Sequence, residues 1–303
     1  MSIGSQPAKK TCSYIGLAVL TLTAFLVMVP TQAVAGSDIT FKFTSFDYPG
    51  AIYTAASAIN KGKVIVGDYQ DTNGVYHGFA MLPNKTFKSI DFPGSTSTQC
   101  WGINDKNHVV GLYTDSGGAE HGFLFVAPNK FTSIDYPGAS FTVAYGINNN
   151  DVIVGTTIDP NSGSQLGFAE TGGNYTLISY PNEPTTLASG INAAGNVAGF
   201  YIDSNGIDHG FILASGKYTT TDYPGSSGTE AEKINDANQI SGAYFGSSGA
   251  LNGFAADPAH NKYITIDVPN SPSTVARGLN NADTVVGHYT DNTGTEHGFI
   301  AVP

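Results

Sequence analysis

Residues 102–145 read GINDKNHVVGLYTDSGGAEHGFLFVAPNKFTSIDYPGASFTVAY, and this stretch is one copy of a unit that occurs six times. Anchored on the Asn of its Ile-Asn pair (Leu-Asn in the last copy), the unit recurs at Asn60, Asn104, Asn148, Asn192, Asn235 and Asn280. The steps are 44, 44, 44, 43 and 45 residues. A glycine after the valine run keeps the same beat at Gly67, Gly111, Gly155, Gly199, Gly242 and Gly287. A fixed period of about 40–50 residues is the mark of a propeller or a solenoid.

Within the second unit the pattern resolves into four short strands. Residues 98–104 (TQCWGIN) form the first and run into a turn, and residues 108–114 (HVVGLYT) form the second. Asp115, Ser116, Gly117 and Gly118 make a hairpin tip, because Asp and Gly tolerate the positive φ of tight hairpins. Residues 122–126 (GFLFV) and 131–136 (FTSIDY) supply the third and fourth strands, and Pro137 stops the last by removing a ladder donor. Four antiparallel strands in ~44 residues is the content of one propeller blade. The chain ends complement each other: 41–48 (FKFTSFDY) is a lone fourth strand, and the last unit stops after a third strand, 298–302 (GFIAV). The expected fold is an all-β, six-bladed β-propeller of four-stranded repeats, closed by pairing the N-terminal strand with the last blade. Closure also removes exposed sheet edges. A β-solenoid is the alternative, but it gives no reason to split one repeat between the two termini.

Outside the repeats, Lys9 and Lys10 precede an apolar run at 15–29, and Ala33, Val34 and Ala35 supply a small-residue site. That is the pattern of a cleaved secretory signal, and the run is shorter than the ~20 residues of a membrane span. The expected organisation is a signal peptide at 1–35 and a single propeller domain at 36–303. The expected product is a monomer, secreted to the periplasm or the cell exterior, with no membrane span after cleavage. The whole chain has 13 basic and 24 acidic residues, a net charge of −11. Cleavage removes two lysines and no acid, leaving −13. Such a charge repels nucleic acid, which is therefore not an expected partner. Cys12 leaves with the leader, and Cys100 alone excludes a disulfide framework. Cys100 aligns with Ala56, Ala144, Ala188, Ala231 and Ala276, so its site calls for a small buried side chain.

The recurring Ile-Asn, Val-Val-Gly and His-Gly-Phe elements resemble the HAF-repeat family of bacterial extracellular proteins, from Phe41 to the end of the chain. The family is named for His-Ala-Phe; here Gly78, Gly122, Gly210 and Gly298 take the middle position. Two units depart further, reading Leu166-Gly167-Phe168 and Asn252-Gly253-Phe254. The resemblance implies export and a repeat fold, and it implies no reaction.

The Asn series sits where a strand enters a turn, a place where Asn bonds nearby backbone. Its alternative reading is a ring of six amides around a channel. Asp47, Asp91, Asp135, Asp222 and Asp267, with Ser179 in one copy, read as capping groups, since acid–base work needs carboxylates in distinct environments. His77, His121, His209 and His297 precede the Gly-Phe pair, and Leu166 and Asn252 replace them in two units. Aromatic packing with a hydrogen bond to the adjacent strand is favoured there over a metal ring. Acids pair at three hairpin tips (Asp115 with Glu120, Asp203 with Asp208, Asp291 with Glu296) without the alternate-position spacing of a calcium loop. No metal or other cofactor is expected, with weak surface calcium left open.

One position breaks the repeat beside the small alanine-type site. It holds Ser57, Trp101, Tyr145, Ser189, Glu232 and Arg277. Trp101 and Tyr145 are the candidate binding residues, an aromatic patch for a sugar or a peptide. The alternative is a tryptophan wedged between blades. No phosphate loop, GxSxG elbow, HExxH or CxxC pair occurs, and the polar residues that do not repeat are scattered singly along the chain. These features favour a secreted non-catalytic protein with a glycan, cell-wall or protein ligand on one propeller face. The alternative is a polysaccharide- or ester-directed hydrolase or lyase, marked by a pocket that gathers non-repeating acids and histidines.

Overall fold

The computed structural model describes residues 40–303, which form six four-stranded antiparallel sheets arranged as a six-bladed β-propeller. The signal peptide expected at 1–35 lies outside the described residues. The blades take residues 53–90, 97–134, 142–178, 185–220, 228–265 and 273–302, and the first strand of each is the innermost. Strand Lys42–Phe46 pairs antiparallel with Glu296–Val302, from Lys42↔Val302 to Phe46↔Gly298, and completes the sixth blade. The ring is thus closed as expected, and the solenoid is excluded. Among the described residues no helix is long and apolar enough to cross a membrane.

In the second blade the strands are Ser97–Ile103, Val109–Thr114, Glu120–Val126 and Lys130–Ile134. The third begins earlier than the sequence suggested. Its hairpin tip closes through Asp115 N to Ala119 O (2.9 Å) and Gly118 N to Asp115 O (3.1 Å), which sets Glu120 in the ladder opposite Thr114. The fourth ends sooner, because Asp135 leaves the ladder to bind His121.

Each first strand carries a β-bulge, at Trp101 in the second blade, where the register steps from Cys100↔Gly111 to Gly102↔Val110. The bulge explains the glycine beat. A Cβ at Gly111 would lie 2.0 Å from the Gln99 carbonyl oxygen, so backbone alone fits. Against these glycines pack Phe79, Phe123, Phe168, Phe211, Phe254 and Phe299, all fully buried between blades. Cys100 is also fully buried in this layer. A second invariant column escaped sequence reasoning: Thr54, Thr98, Thr142, Thr186, Thr229 and Thr274. Each is buried, and its hydroxyl accepts a backbone N–H of the incoming connection, as from Phe92 to Thr98 at 3.0 Å.

Candidate functional site

At one end of the axis the six repeat asparagines do two jobs. Asn104 Oδ1 accepts the N–H groups of Lys106 and His108, both at 3.0 Å, and so holds its own turn. Asn104 Nδ2 donates to the Asn148 carbonyl (3.0 Å) and to Asp151 Oδ1 (2.9 Å) in the next blade. The same stitch joins Asn60 to Asn104, Asn148 to Asn192, Asn192 to Asn235 and Asn280 back to Asn60. The fifth blade departs: Asn235 Nδ2 donates to Gln239 Oε1 at 2.6 Å. Turn and amide ring are therefore both present, and the asparagines line the channel mouth.

The repeated histidines and aspartates form a clamp at the outer part of the blades. His121 Nδ1 lies 2.7 Å from Asp135 Oδ1, Nε2 lies 3.5 Å from Asp115, and the ring stacks on Tyr113 at 5.0 Å. His77, His209 and His297 repeat the contact with Asp91, Asp222 and Asp47. Where Leu166 replaces the histidine, Ser179 replaces its aspartate, so the swap follows a lost partner. The tip carboxylate also caps its own turn: Asp115 Oδ1 accepts Gly117 N and Ala119 N. The expected acid pairs at the tips are not formed as such. Glu120, Asp208 and Glu296 open the third strands, where burial raises the pKa of each. Among the described residues no three His, Cys, Asp or Glu side chains are grouped to hold a metal ion.

The residues that break the repeat meet inside the ring. Trp101 and Tyr145 sit on neighbouring bulges with ring centroids 5.3 Å apart, edge to face, and both are half-buried. The Arg277 guanidinium lies 4.7 Å from the centre of the Trp101 ring. Arg277 belongs to the sixth blade and Trp101 to the second, so this contact passes the first blade, where the small Ser57 gives way. Around it stand Asp68, Glu230, Glu232 and His288, which do not repeat, and Glu296, whose position is also acidic at Glu120 and Asp208. The expectation that such residues are scattered singly is corrected. They come from first, second and third strands of different blades, which adjoin only once the ring closes.

Their environments differ. Burial pushes the Asp68 carboxyl up to about 6, with Arg277 and a hydrogen bond from Gln99 (3.3 Å) opposing it. Burial, with Glu232 and Asp208 adding to it, takes Glu230 to about 8. At neutral pH Glu230 therefore holds its proton. Burial works against the Arg277 charge, but Glu232, Tyr53, Asp68 and Glu230 outweigh it and raise its pKa. Burial and then Arg277 keep His288 neutral, well below the ordinary histidine range. Four buried polar atoms here have no partner among the described residues: Ser57 Oγ, Trp101 Nε1, Arg277 Nε and His288 Nδ1. Only Trp101 and Tyr145 of this group were candidates from the sequence. The usable signal for the rest was the variation at positions 68, 230 and 288 on strands whose neighbours repeat.

No family model matches the chain, and no curated protein matches it. Solved structures do. A lectin from Aleuria aurantia in complex with Fucα1-6GlcNAc superposes with a TM-score of 0.53 at 12% identity, covering 83% of this chain and 96% of that one. AofleA from Arthrobotrys oligospora gives 0.53 at 13% identity, covering 88% of each chain. The SapL1 lectin in complex with α-methyl fucoside gives 0.52 at 10% identity, covering 81% of this chain and 90% of that one. At these identities the likeness is one of fold, and the fold shared is the propeller.

Proposed function

We propose that this chain is an exported, non-catalytic carbohydrate-binding propeller whose ligand is held at the bulge ring by Trp101, Tyr145 and Arg277. The observation that carries this reading is an aromatic pair and a guanidinium converging with four buried polar atoms that lack partners among the described residues. An indole beside a tyrosine edge offers apolar area to the C–H face of a sugar. The guanidinium offers N–H donors to hydroxyls. Each buried polar atom left unpaired costs about 1–3 kcal/mol, which a hydroxylated ligand recovers. That the Aleuria aurantia and SapL1 lectins take fucosylated ligands on this fold supports the ligand class. The leader-like residues 1–35 and the HAF-repeat resemblance support export to the periplasm or beyond.

The test is an array of glycans and cell-wall fragments, probed with the wild-type protein, Trp101→Ala and Arg277→Gln. Loss of the indole should weaken binding by about 1–3 kcal/mol, as expected of an aromatic anchor. Binding unchanged in both variants would move the site elsewhere. A folded protein that binds no glycan would overturn the reading.

A second reading is favoured by one observation, the different proton affinities of Asp68 and Glu230. Glu230 would serve as the proton donor and Asp68 as the base of a hydrolase or lyase. Turnover of a polysaccharide or ester that Glu230→Gln abolishes, with binding retained, would establish that reading in place of the first.

A further inference from the structure

The channel between the asparagine mouth and the bulge ring holds an arrangement outside the site proposed above. The asparagine mouth opens on a cavity of about 90 Å³. A second cavity of about 70 Å³ lies along the same axis. The two share one aliphatic collar: Ile59, Ile103, Ile147, Ile191, Ile234 and Leu279. Each is several times the space that one water molecule needs.

Lys233 lines the inner cavity. At its position the other blades have Gly102, Gly146, Gly190, Gly278 or Ala58, because the innermost strands nearly touch. A Cβ at Gly190 would lie 2.8 Å from Lys233 Cα, and one at Gly278 would lie 2.9 Å from Ala58 Cα. Lys233 is thus the one long side chain in this waist. It is only 8% exposed, and Nζ donates to the Ser189 carbonyl at 3.0 Å. An ammonium has three donors, and among the described residues Lys233 makes no ion pair. A buried cation with most of its donors unused favours an anionic partner.

We propose that this channel binds a short-chain aliphatic monocarboxylate, with its carboxylate on Lys233 Nζ and its alkyl chain in the aliphatic collar. Lys233 and the mouth residue Asn235 are two residues apart, about 7 Å of strand rise. That length suits a chain of about three to five carbons at single bonds near 1.5 Å. The collar has no polar side chain to match a second charge. The rim carboxylates are already engaged, Asp105 by Lys61 N and Asn149 Nδ2, and Asp236 by Ala193 N and Asn281 Nδ2.

The experiment is calorimetric titration of the folded chain with propionate, butyrate and valerate, beside butyramide and chloride. Affinity should rise about fourfold for each added methylene, the factor for ~0.8 kcal/mol of buried CH₂. Butyramide and chloride should bind at least about tenfold more weakly, since neither supplies both a charge and a chain. Lys233→Gly copies four sister blades and should fold while losing carboxylate binding; Lys233→Met is a second variant that keeps the side-chain bulk. Trp101→Ala should leave butyrate binding unchanged. Binding should fade as pH rises past about 8, where burial and Arg277, against Glu232, let the amine lose its proton. The proposal is overturned if wild type binds none of the three acids, if butyramide or chloride equals butyrate, or if a folded Lys233 variant binds butyrate as wild type does.

Discussion

Replacing Asn104 by Asp separates the two jobs of the repeat asparagine. Aspartate keeps an oxygen for the Lys106 and His108 N–H groups, so the turn survives. It cannot donate, so the bonds to the Asn148 carbonyl and to Asp151 are lost. Two hydrogen bonds are worth about 0.5–1.5 kcal/mol each. The new carboxylate also faces Asp151, and like charges near 4 Å repel by up to about 4 kcal/mol at an effective dielectric of 20. Lys106 (3.1 Å) and His108 (2.9 Å) on Asp151 soften that repulsion. A loss of about 2–5 kcal/mol is expected, or roughly 4–15 °C in Tm for a domain of this size. Such an acid has a folded-state pKa above its unfolded value, so the deficit should be full at neutral pH and shrink as the pH falls toward 4. Asn235→Asp is the internal control, because among the described residues Asn235 Nδ2 donates only to Gln239 Oε1, and that amide can turn to donate. Its loss should stay within about 1 kcal/mol. Thermal melts of the three proteins across pH decide the matter. Equal stability of wild type and Asn104→Asp, or equal losses in both variants, would refute the inter-blade stitch.

A chain beginning at Pro49 loses the strand that closes the sixth blade, with Phe43 on Phe299 (5.9 Å), Phe46 on Phe79 (6.3 Å) and Tyr48 on Tyr69 (3.6 Å). At about 1 kcal/mol or more per partly buried ring it should lose several kcal/mol, and a melt matching that of residues 36–303 would contradict the closure argument. Cys100→Ala should be nearly neutral, and the native thiol, its pKa pushed up by burial, should react with a disulfide reagent only on unfolding. Rapid native labelling would show otherwise. Burial opposes the His121 charge, but Asp135 and Asp115 outweigh it and raise its pKa. Its contribution is therefore present below the unfolded value near 6.5 and lost as pH rises through the folded one. His121→Gln should cost more stability at pH 5.5 than at pH 8.5, as read by paired melts, and equal costs at both would remove the clamp from the account.

The repeat period, the four strands per blade and the split of one blade between the chain ends were all legible in the sequence, because they depend on spacing along the chain. So was the small site at Cys100, since five sister units hold Ala there. The reason for each glycine was not legible. Gly111 is required by a bulge that drives it against the Gln99 carbonyl, which is a fact of three-dimensional pairing. The asparagines read as turn residues because the turn lies within four positions, while the carbonyl stitched by Asn60, Asn104, Asn148 or Asn192 lies 43 or 44 positions away and that stitched by Asn280 lies 220 away. Ser179 and Leu166 change together for the same reason: they occupy the two sites of the histidine–aspartate contact, which lie on different segments of the blade. Asp68, Trp101, Glu230, Arg277 and His288 stand far apart in the chain and look like isolated exceptions to the repeat. Only ring closure, which turns six successive blades into neighbours around one axis, brings their side chains into one environment and shifts their proton affinities. Lys233 is the plainest case: along the chain it is one lysine where glycine is usual, and in the folded ring it is a buried amine lining the channel.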